Sequence, residues 1–188
     1  MAMDNTTVFS DYEIRELGFN FGETSFSVPC VGSMEEELEV TVVTKKCRGV
    51  IKKVRPRGTG TGTLTISAHV PHKLIGELYA MTEDGLVDGV RAYGQNSLHK
   101  EFVLTADVFD EDGNEKFKAY PRAIIQSNLS RSTENGAEEV AEMELEISIM
   151  PDDEGNGMYE AVASEVTDSN VKSTWMTAFT PDLVKASA

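Results

Sequence analysis

The residues that could do chemistry in this chain are few, and their spacing does not match the patterns that catalysis or metal binding requires. His69 and His72 form an HxxH pair, but the first lies on a predicted strand and the second beside Pro71, so no helix presents both to a zinc ion. Cys47 lies between two cations that favour a thiolate, yet no histidine base is placed beside it. We therefore expect two surface histidines and two reduced thiols, Cys30 and Cys47.

Two loops resemble ligand sites without matching them. Asp107, Asp110 and Asp112 precede Gly113 in a way that suggests a calcium loop, but the glycine follows the second carboxylate and no glutamate closes a loop of about twelve residues. The GTGTG segment at 58–62 lacks the Lys-Ser/Thr that completes a phosphate-binding loop. We interpret the first as an acidic hairpin turn and the second as a hinge, and we expect no enzyme activity, no cofactor and no metal.

Charge is unevenly distributed along the chain. Seventeen basic residues against 32 acidic ones give a net charge of −15, which argues against a protein that holds nucleic acid by its phosphates. Residues 45–57 include seven basic residues and no acidic one, whereas 132–171 include twelve acidic residues and no Lys or Arg. Such segregation indicates either a solvated face with a mobile loop, or two complementary surfaces that meet at a subunit contact.

The elements that must position these residues are mostly strands, because the dominant period of the apolar residues is two. The clearest strand is 141–149, where apolar residues alternate with Glu142, Glu144 and Glu146. The other predicted strands are 38–44, 64–70, a hairpin of 102–109 with 117–125, and a second hairpin that joins 141–149 to 158–166. The predicted fold is mainly β, an antiparallel β-sandwich or barrel with one short flanking helix, a long inter-strand loop and extended terminal arms.

The chain length of 188 residues suits a single domain with arms. We predict an N-terminal arm at 1–24, a β-domain at 25–166 with a basic loop at 45–63 and a helix at about 71–83, and a C-terminal arm at 167–188. Both arms carry large apolar side chains that we expect to anchor them on a neighbouring subunit. These candidate anchors are Phe9, Phe19, Trp175 and Phe179. The chain shows neither a membrane-length apolar run nor a signal peptide, so we expect a protein made in the cytoplasm without a membrane anchor.

The order of these pieces resembles a known family. An acidic strand leads into the basic loop, followed by GTGTGTLTISAHV, the helix PHKLIGELYAMTEDGL, and the hairpins FVLTADVFDEDGNEKFKAYPRAII and EMELEISIMPDDEGNGMYEAV. Over roughly residues 25–166 this resembles the major tail tube proteins of long-tailed (siphovirus-type) bacteriophages. The resemblance implies hexameric rings stacked into a tail tube of the virion, through which genomic DNA passes without specific binding. It implies as partners other copies of the chain, the tail tip or initiator, the tape measure and the tail terminator.

The resemblance also implies two kinds of functional surface. An acidic wall would let DNA slide, because basic walls would retain its phosphates. The candidate lumen wall consists of Glu35, Glu37, Glu39, Glu142, Glu144 and Glu146, whose other interpretation is an ordinary solvated face. The candidate inter-ring loop consists of Lys45, Lys46, Arg48, Lys52, Lys53, Arg55 and Arg57, which we expect to dock on the acidic 132–171 region of an adjacent ring.

Two other functions remain open at this stage. A phage capsid decoration or head–tail joining protein would also be small, β-rich and oligomeric. A free β-sandwich module that binds carbohydrate usually displays a row of exposed aromatic residues, and this chain has a single Trp.

Overall fold

The protein is mainly antiparallel β, as predicted, and its strands form one eight-stranded sheet. The computed structural model describes residues 8–186. The sheet has the order β2-β1-β5-β6-β7-β4-β3, with β8 paired to β6 outside this path. The strands are β1 Glu13–Asn20, β2 Ser25–Val28, β3 Val31–Cys47, β4 Val50–Ala68, β5 Phe102–Phe109, β6 Glu115–Ile125, β7 Met143–Met150 and β8 Tyr159–Val162. The helices are α1 His72–Leu78 and α2 Ser169–Ala178, followed by a 3-10 turn at Pro181–Val184.

Alternation along the strands separates a core from an outer face. On β7, Leu145, Ile147 and Ile149 are fully buried, whereas Glu144 and Glu146 are exposed, as the sequence pattern predicts. Buried side chains of β1, β2, β4, β5, β6 and β7 form the main core, and the partly buried Met34 of β3 packs against it. Helix α1 closes this core with Leu74, Ile75 and Leu78. The helix is shorter than the predicted 71–83.

The hairpin of β5 and β6 is confirmed, and its turn accounts for the calcium-like pattern. The Asp110 carboxylate accepts hydrogen bonds from the backbone N–H groups of Asp112 and Asn114 at 3.0 and 2.7 Å. Gly113 adopts a positive φ of 82° in this turn. The carboxylate therefore closes its own turn. The second predicted hairpin is wrong, because β8 pairs with β6 and not with β7.

The predicted N-terminal arm at 1–24 is wrong from Glu13 onwards, and its first seven positions lie outside the described residues. Residues 13–20 form β1, which lies between β2 and β5 in the sheet. Phe19 is 1% exposed in the protein's own core and does not anchor an arm on a neighbour. Phe9 precedes the sheet and is half-buried, with the Lys116 ammonium 4.4 Å from its ring centroid.

The C-terminal segment packs on the same chain as well. Helix α2 covers the outer face of β5 and β6, where Trp175 and Phe179 are 2% and 1% exposed in a second apolar cluster. The Trp175 indole N–H donates to the carbonyl of Lys118 at 3.1 Å. Gly18 lets the helix come this close, because a Cβ there would overlap the carbonyl oxygen of Met176. These aromatic groups stabilise the subunit and do not reach out from it.

The predicted basic loop is a pair of strands. β3 and β4 pair from Val31 opposite Ala68 to Cys47 opposite Val50, with irregular register near Leu38 and Lys45. The connection is the two-residue turn Arg48-Gly49, and both residues have positive φ, at 51° and 77°. Such turns match the twist of antiparallel strands, so the basic segment continues the sheet as a hairpin.

Replacing Trp175 with alanine tests the packing of α2. We expect the free energy of unfolding of the dilute monomer to fall by about 3–5 kcal/mol, because a fully buried aromatic side chain is removed. Lys172→Ala, an exposed substitution on the same helix, should change it by less than about 0.5 kcal/mol. Urea denaturation at a concentration without assembly measures both. Equal stabilities of the two variants would show that Trp175 is not part of the subunit core.

Candidate functional site: an acidic sheet face and a projecting hairpin

The alternation of β3 defines both surfaces of interest. Glu35, Glu37 and Glu39 point outward, whereas Met34 and Glu36 point towards the core. Glu35 is opposite Thr65 on β4, which is in turn opposite Glu146 on β7. Residues directly opposite one another share a face of the sheet, so the outward side chains of β3, β4 and β7 form one surface.

This surface brings together the six glutamates predicted as a lumen wall, and we call it the acidic face. Its members are Glu35, Glu37, Glu39, Glu142, Glu144 and Glu146. Between the two columns of carboxylates lies a column of hydroxyl side chains, Thr63, Thr65 and Ser67. Two inter-strand spacings separate Glu35 from Glu146, roughly 10 Å, which is near the screening length at 0.1 M salt. The central hydroxyl column thus keeps like charges from facing each other directly.

Local contacts orient several of these carboxylates. Glu146 accepts a hydrogen bond from the Gln126 amide at 2.8 Å, and Glu39 accepts one from the Thr61 hydroxyl at 2.8 Å. The Glu142 carboxylate lies over Gly32, where a Cβ would collide with it. Within residues 8–186, none of the six forms an ion pair. Ion pairs therefore neutralise none of these six carboxylates in this part of the chain.

Glu36, on the opposite side of β3, has a different role. Its carboxylate accepts a hydrogen bond from the Tyr120 hydroxyl at 2.6 Å and is 3.3 Å from the Lys118 ammonium. Lys118 also pairs with Asp11 at 2.8 Å. These contacts, on the core-facing side of the sheet, link edge strand β3 to β6 and to the segment that precedes β1.

The contacts among Asp11, Glu36, Lys118 and Tyr120 favour the charged forms of Lys118 and Asp11. Burial lowers the pKa of Lys118, but the hydrogen bond with Asp11 and the attraction of Glu36 outweigh it and raise the pKa above its ordinary value. Burial likewise raises the pKa of Asp11, and its bonds with Lys116 and Lys118 reverse the direction. For Tyr120, burial and the neighbouring Glu36 both raise the pKa, so the phenol remains a hydrogen-bond donor.

Beyond the acidic face, the outer ends of β3 and β4 form a projecting hairpin, which we define as Leu38–Cys47 and Val50–Gly62. With about ten residues on β3, it extends roughly 30 Å. Its seven large apolar side chains are each between 41% and 63% exposed. These are Leu38, Val40, Val42, Val43, Val50, Ile51 and Val54. An exposed patch of this kind is typical of an interaction surface.

The hairpin has two chemically different faces. Val42 is opposite Pro56 and Thr44 is opposite Val54, so one face is apolar and continues the core-facing side of β3. The other face continues the outward side of β3. It carries the opposed pairs Thr41 with Arg57, Val43 with Arg55, and Lys45 with Lys53. Along its outward side, β3 therefore changes from acidic near the sheet to basic on the hairpin.

The seven cations predicted as an inter-ring loop all lie on this hairpin. Lys45, Lys53, Arg55 and Arg57 line its basic face, while Lys46, Arg48 and Lys52 surround the turn. In the described part of the chain, none of the seven has an ion-pair partner. The apolar face was missed by the sequence analysis, although Val40, Val42 and Val54 already signalled a strand.

The histidine and cysteine side chains discussed above do not form a common site. His69 and His72 are both exposed, and Cys30 and Cys47 are exposed free thiols at opposite ends of β3. Within residues 8–186, no three His, Cys, Asp or Glu side chains are grouped to hold a metal ion. No helix in that range is long and apolar enough to cross a membrane.

No known protein-family profile matches the chain, and no curated protein matches its sequence. Solved structures that contain similar chains include the following three, in each of which the similar chain is 12% identical. One is the anti-feeding prophage cap, described as a tube terminating cap, with a TM-score of 0.46 over 87% of this chain and 100% of that chain. A second is the PVC sheath-tube complex of an extracellular contractile injection system, in the extended state. Its TM-score is 0.48 over 86% of this chain and 100% of that chain. The third is the six-fold symmetrised anti-feeding prophage baseplate, with a TM-score of 0.43 over 83% of this chain and 98% of that chain. TM-scores below 0.5 at this identity assign neither a family nor a function.

Neighbouring glutamates on β3 test the assignment of its two sides. We expect Glu36→Gln to lower the free energy of unfolding by about 2 kcal/mol, because the buried Lys118 ammonium loses an anionic partner. The same change at exposed Glu35 should cost less than about 0.5 kcal/mol. Chemical denaturation of the monomer at pH 7 compares the two variants. Equal losses, or a larger loss at Glu35, would contradict the inward placement of Glu36.

Proposed function

We propose that this protein is a structural subunit of a phage-type tail tube. In this proposal, copies associate into hexameric rings that stack into a tube, and the tube conducts DNA into the host. The observation that carries the proposal is the projecting hairpin, which is apolar on one face, basic on the other, and exposed at every residue from Val40 to Gly58.

A hairpin of this kind gains stability from a second copy. Two strands without a covering layer are only marginally stable in water, and burying one Val side chain contributes about 1.5 kcal/mol or more. The apolar face of the hairpin continues the core-facing side of the sheet, so a neighbouring copy that covers it would extend an existing core. Seven exposed apolar groups promote aggregation of a monomer, whereas in an assembly they can be buried against another copy.

The open edges of the sheet also favour association between copies. The strand order leaves β2 at one edge and the 17-residue β3 at the other. Long unpaired edges promote pairing with another chain, and a head-to-tail ring that closes uses both edges. A second set of contacts, between rings, would extend the rings into a tube.

The acidic face suits the inside of such a tube. DNA carries about one charge per 1.7 Å of its axis, so a wall of carboxylates repels it and lets it slide without specific binding. The other outer surface of the sheet, on β5 and β6, is covered by α2. We therefore propose that the acidic face lines the lumen and that α2 lies towards the exterior.

The proposal implies a virion location and no catalysis, cofactor or membrane anchor. Its partners would be other copies of the chain and the proteins that start, measure and end a tail: the tail tip or initiator, the tape measure and the terminator. A capsid decoration or head–tail joining protein is the alternative, and it would form trimers, single rings or monomers instead of tubes.

Substitutions on opposite faces of the hairpin test assembly. We expect the double variant Val40→Ser with Val42→Ser to raise the critical concentration for tube formation about tenfold or more, because two apolar contacts are lost per subunit. The matched control, Thr41→Ser with Val43→Ser on the basic face, should change it less than threefold. Sedimentation and negative-stain microscopy measure assembly, and thermal melting confirms that both monomers remain folded. A wild-type protein that stays monomeric even with a tail initiator would refute the proposed function.

Charge reversal on the acidic face tests the lumen assignment. Particles whose tails carry Glu142→Lys, Glu144→Lys and Glu146→Lys should eject DNA more slowly at low salt, and the difference should shrink at high salt as the attraction is screened. Glu111→Lys, Asp112→Lys and Glu165→Lys change the net charge equally at exposed positions away from this face. Time-resolved ejection measures both sets. Normal ejection by the first set at low salt, with intact tails, would place the acidic face outside the lumen.

A further inference from the structure

The end of the projecting hairpin is both basic and apolar. Its tip, residues 45–53, carries five cations around Val50 and Ile51, which are 57% and 54% exposed. Within the described residues, no side chain covers Val50 and Ile51, and no carboxylate pairs with the five cations. A matching surface must therefore offer carboxylates and exposed aliphatic side chains together.

One loop of the same chain has that composition. Residues 83–90, Glu-Asp-Gly-Leu-Val-Asp-Gly-Val, form two consecutive turns, closed by hydrogen bonds from Leu86 N–H to the Glu83 carbonyl and from Val90 N–H to the Val87 carbonyl, both 3.0 Å. Each turn contains an Asp-Gly pair whose glycine has a positive φ, 73° at Gly85 and 81° at Gly89. We call this segment the double-turn loop.

The double-turn loop presents both required kinds of group. Leu86, Val87 and Val90 are 41%, 78% and 50% exposed. Asp84 and Asp88 are exposed and form no ion pair within residues 8–186. The loop thus offers two unneutralised carboxylates among three aliphatic side chains.

The loop is held in shape by its base. Thr82 and Ala92 form a two-way backbone bridge, and the Arg91 guanidinium donates to Glu83 at 2.6 Å. Arg91 packs against Gly76 of α1, where a Cβ would collide with it. A surface ordered before binding loses less conformational entropy when a partner docks.

The tip and the loop lie at opposite ends of the subunit. The tip contains Val50, the first residue of β4, whereas α1 and the loop follow Ala68, the last residue of that 19-residue strand. Contacts of Tyr79 with the Asn128 carbonyl and of His99 with the Ile125 carbonyl hold the loop region beside the end of β6. At about 3.3 Å per residue, roughly 50 Å or more separates the two surfaces. They cannot meet within one chain, and a contact between copies would be head to tail.

We propose that the hairpin tip of one copy docks on the double-turn loop of the next copy, an inference that rests on the proposed self-assembly. The charge distribution along the sequence favours the acidic region 132–171 as the receiving surface. Its exposed loop at 132–142 supplies carboxylates but only one large exposed aliphatic group, Val140. It would neutralise the cations of the tip and leave Val50 and Ile51 uncovered.

Disulfide trapping tests the contact with a reporter that the tip already carries, because Cys47 is exposed beside the turn. In a Cys30→Ser background, assembled protein with Asp88→Cys is treated with a mild copper oxidant and run on a non-reducing gel. We expect a series of covalent multimers longer than dimers, because each copy carries one thiol of each kind at opposite ends. Glu138→Cys in the same background is the matched control for the acidic loop, and Val87→Cys is the second reporter where Asp88→Cys impairs assembly.

A charge exchange provides independent evidence. Lys52→Glu with Lys53→Glu should raise the critical concentration for assembly at least tenfold, and added Asp84→Lys with Asp88→Lys should restore most of the loss. Restoration by Glu138→Lys with Glu139→Lys instead, or covalent multimers through position 138 alone, would overturn the docking site while the proposed function stands. Failure of the parent protein to assemble would overturn both.

Discussion

The structure depends on the register of one strand, β3. Its side chains alternate between the two sides of the sheet from Ser33 to Leu38, so a shift by one residue there would exchange every inward group with every outward one. Glu36 opposes that shift, because it is the carboxylate that meets Tyr120 and Lys118 inside the sheet. A slip would bury Glu35 or Glu37 without these partners and would break the acidic face. The internal ion-pair cluster therefore fixes the surface that faces away from it.

The same alternation explains why the projecting hairpin has two unlike faces. The side of β3 that faces the core within the sheet continues along the hairpin as Val40 and Val42. There the described residues provide no layer that covers them. Positions that carry glutamates near the sheet are followed by Thr41 and Val43, opposite Arg57 and Arg55. Lys45 comes next and is opposite Lys53. A hairpin whose interior side is still apolar beyond the domain is an incomplete core, and a second copy is the partner that can complete it.

The sequence predicted the local features well and the long-range ones poorly. Strand β7, the β5–β6 hairpin and the alternation behind the acidic face follow from patterns within about ten residues. The basic segment was predicted as a loop because its three apolar β-branched residues, Val50, Ile51 and Val54, do not alternate and lie among seven cations. The N-terminal segment was assigned to an arm because the partner of β1 is β5, about 90 residues away. Likewise, nothing close to Glu36 in sequence indicates Lys118. A local signal for α2 did exist, since Val171, Trp175 and Phe179 recur every four residues after the N-capping carboxylate of Asp168.

The central claim is that the apolar face of the hairpin is uncovered in the free subunit and covered by another copy in the assembly. Amide hydrogen exchange of the two states, read by mass spectrometry on peptides that span residues 38–62, measures this most directly. We expect fast exchange in the monomer, as for a two-stranded hairpin without a covering layer, and slowing by at least tenfold in assembled protein. Peptides of β7, already buried in the subunit, should exchange slowly in both states. Equal exchange of residues 38–62 in the two states would contradict the claim.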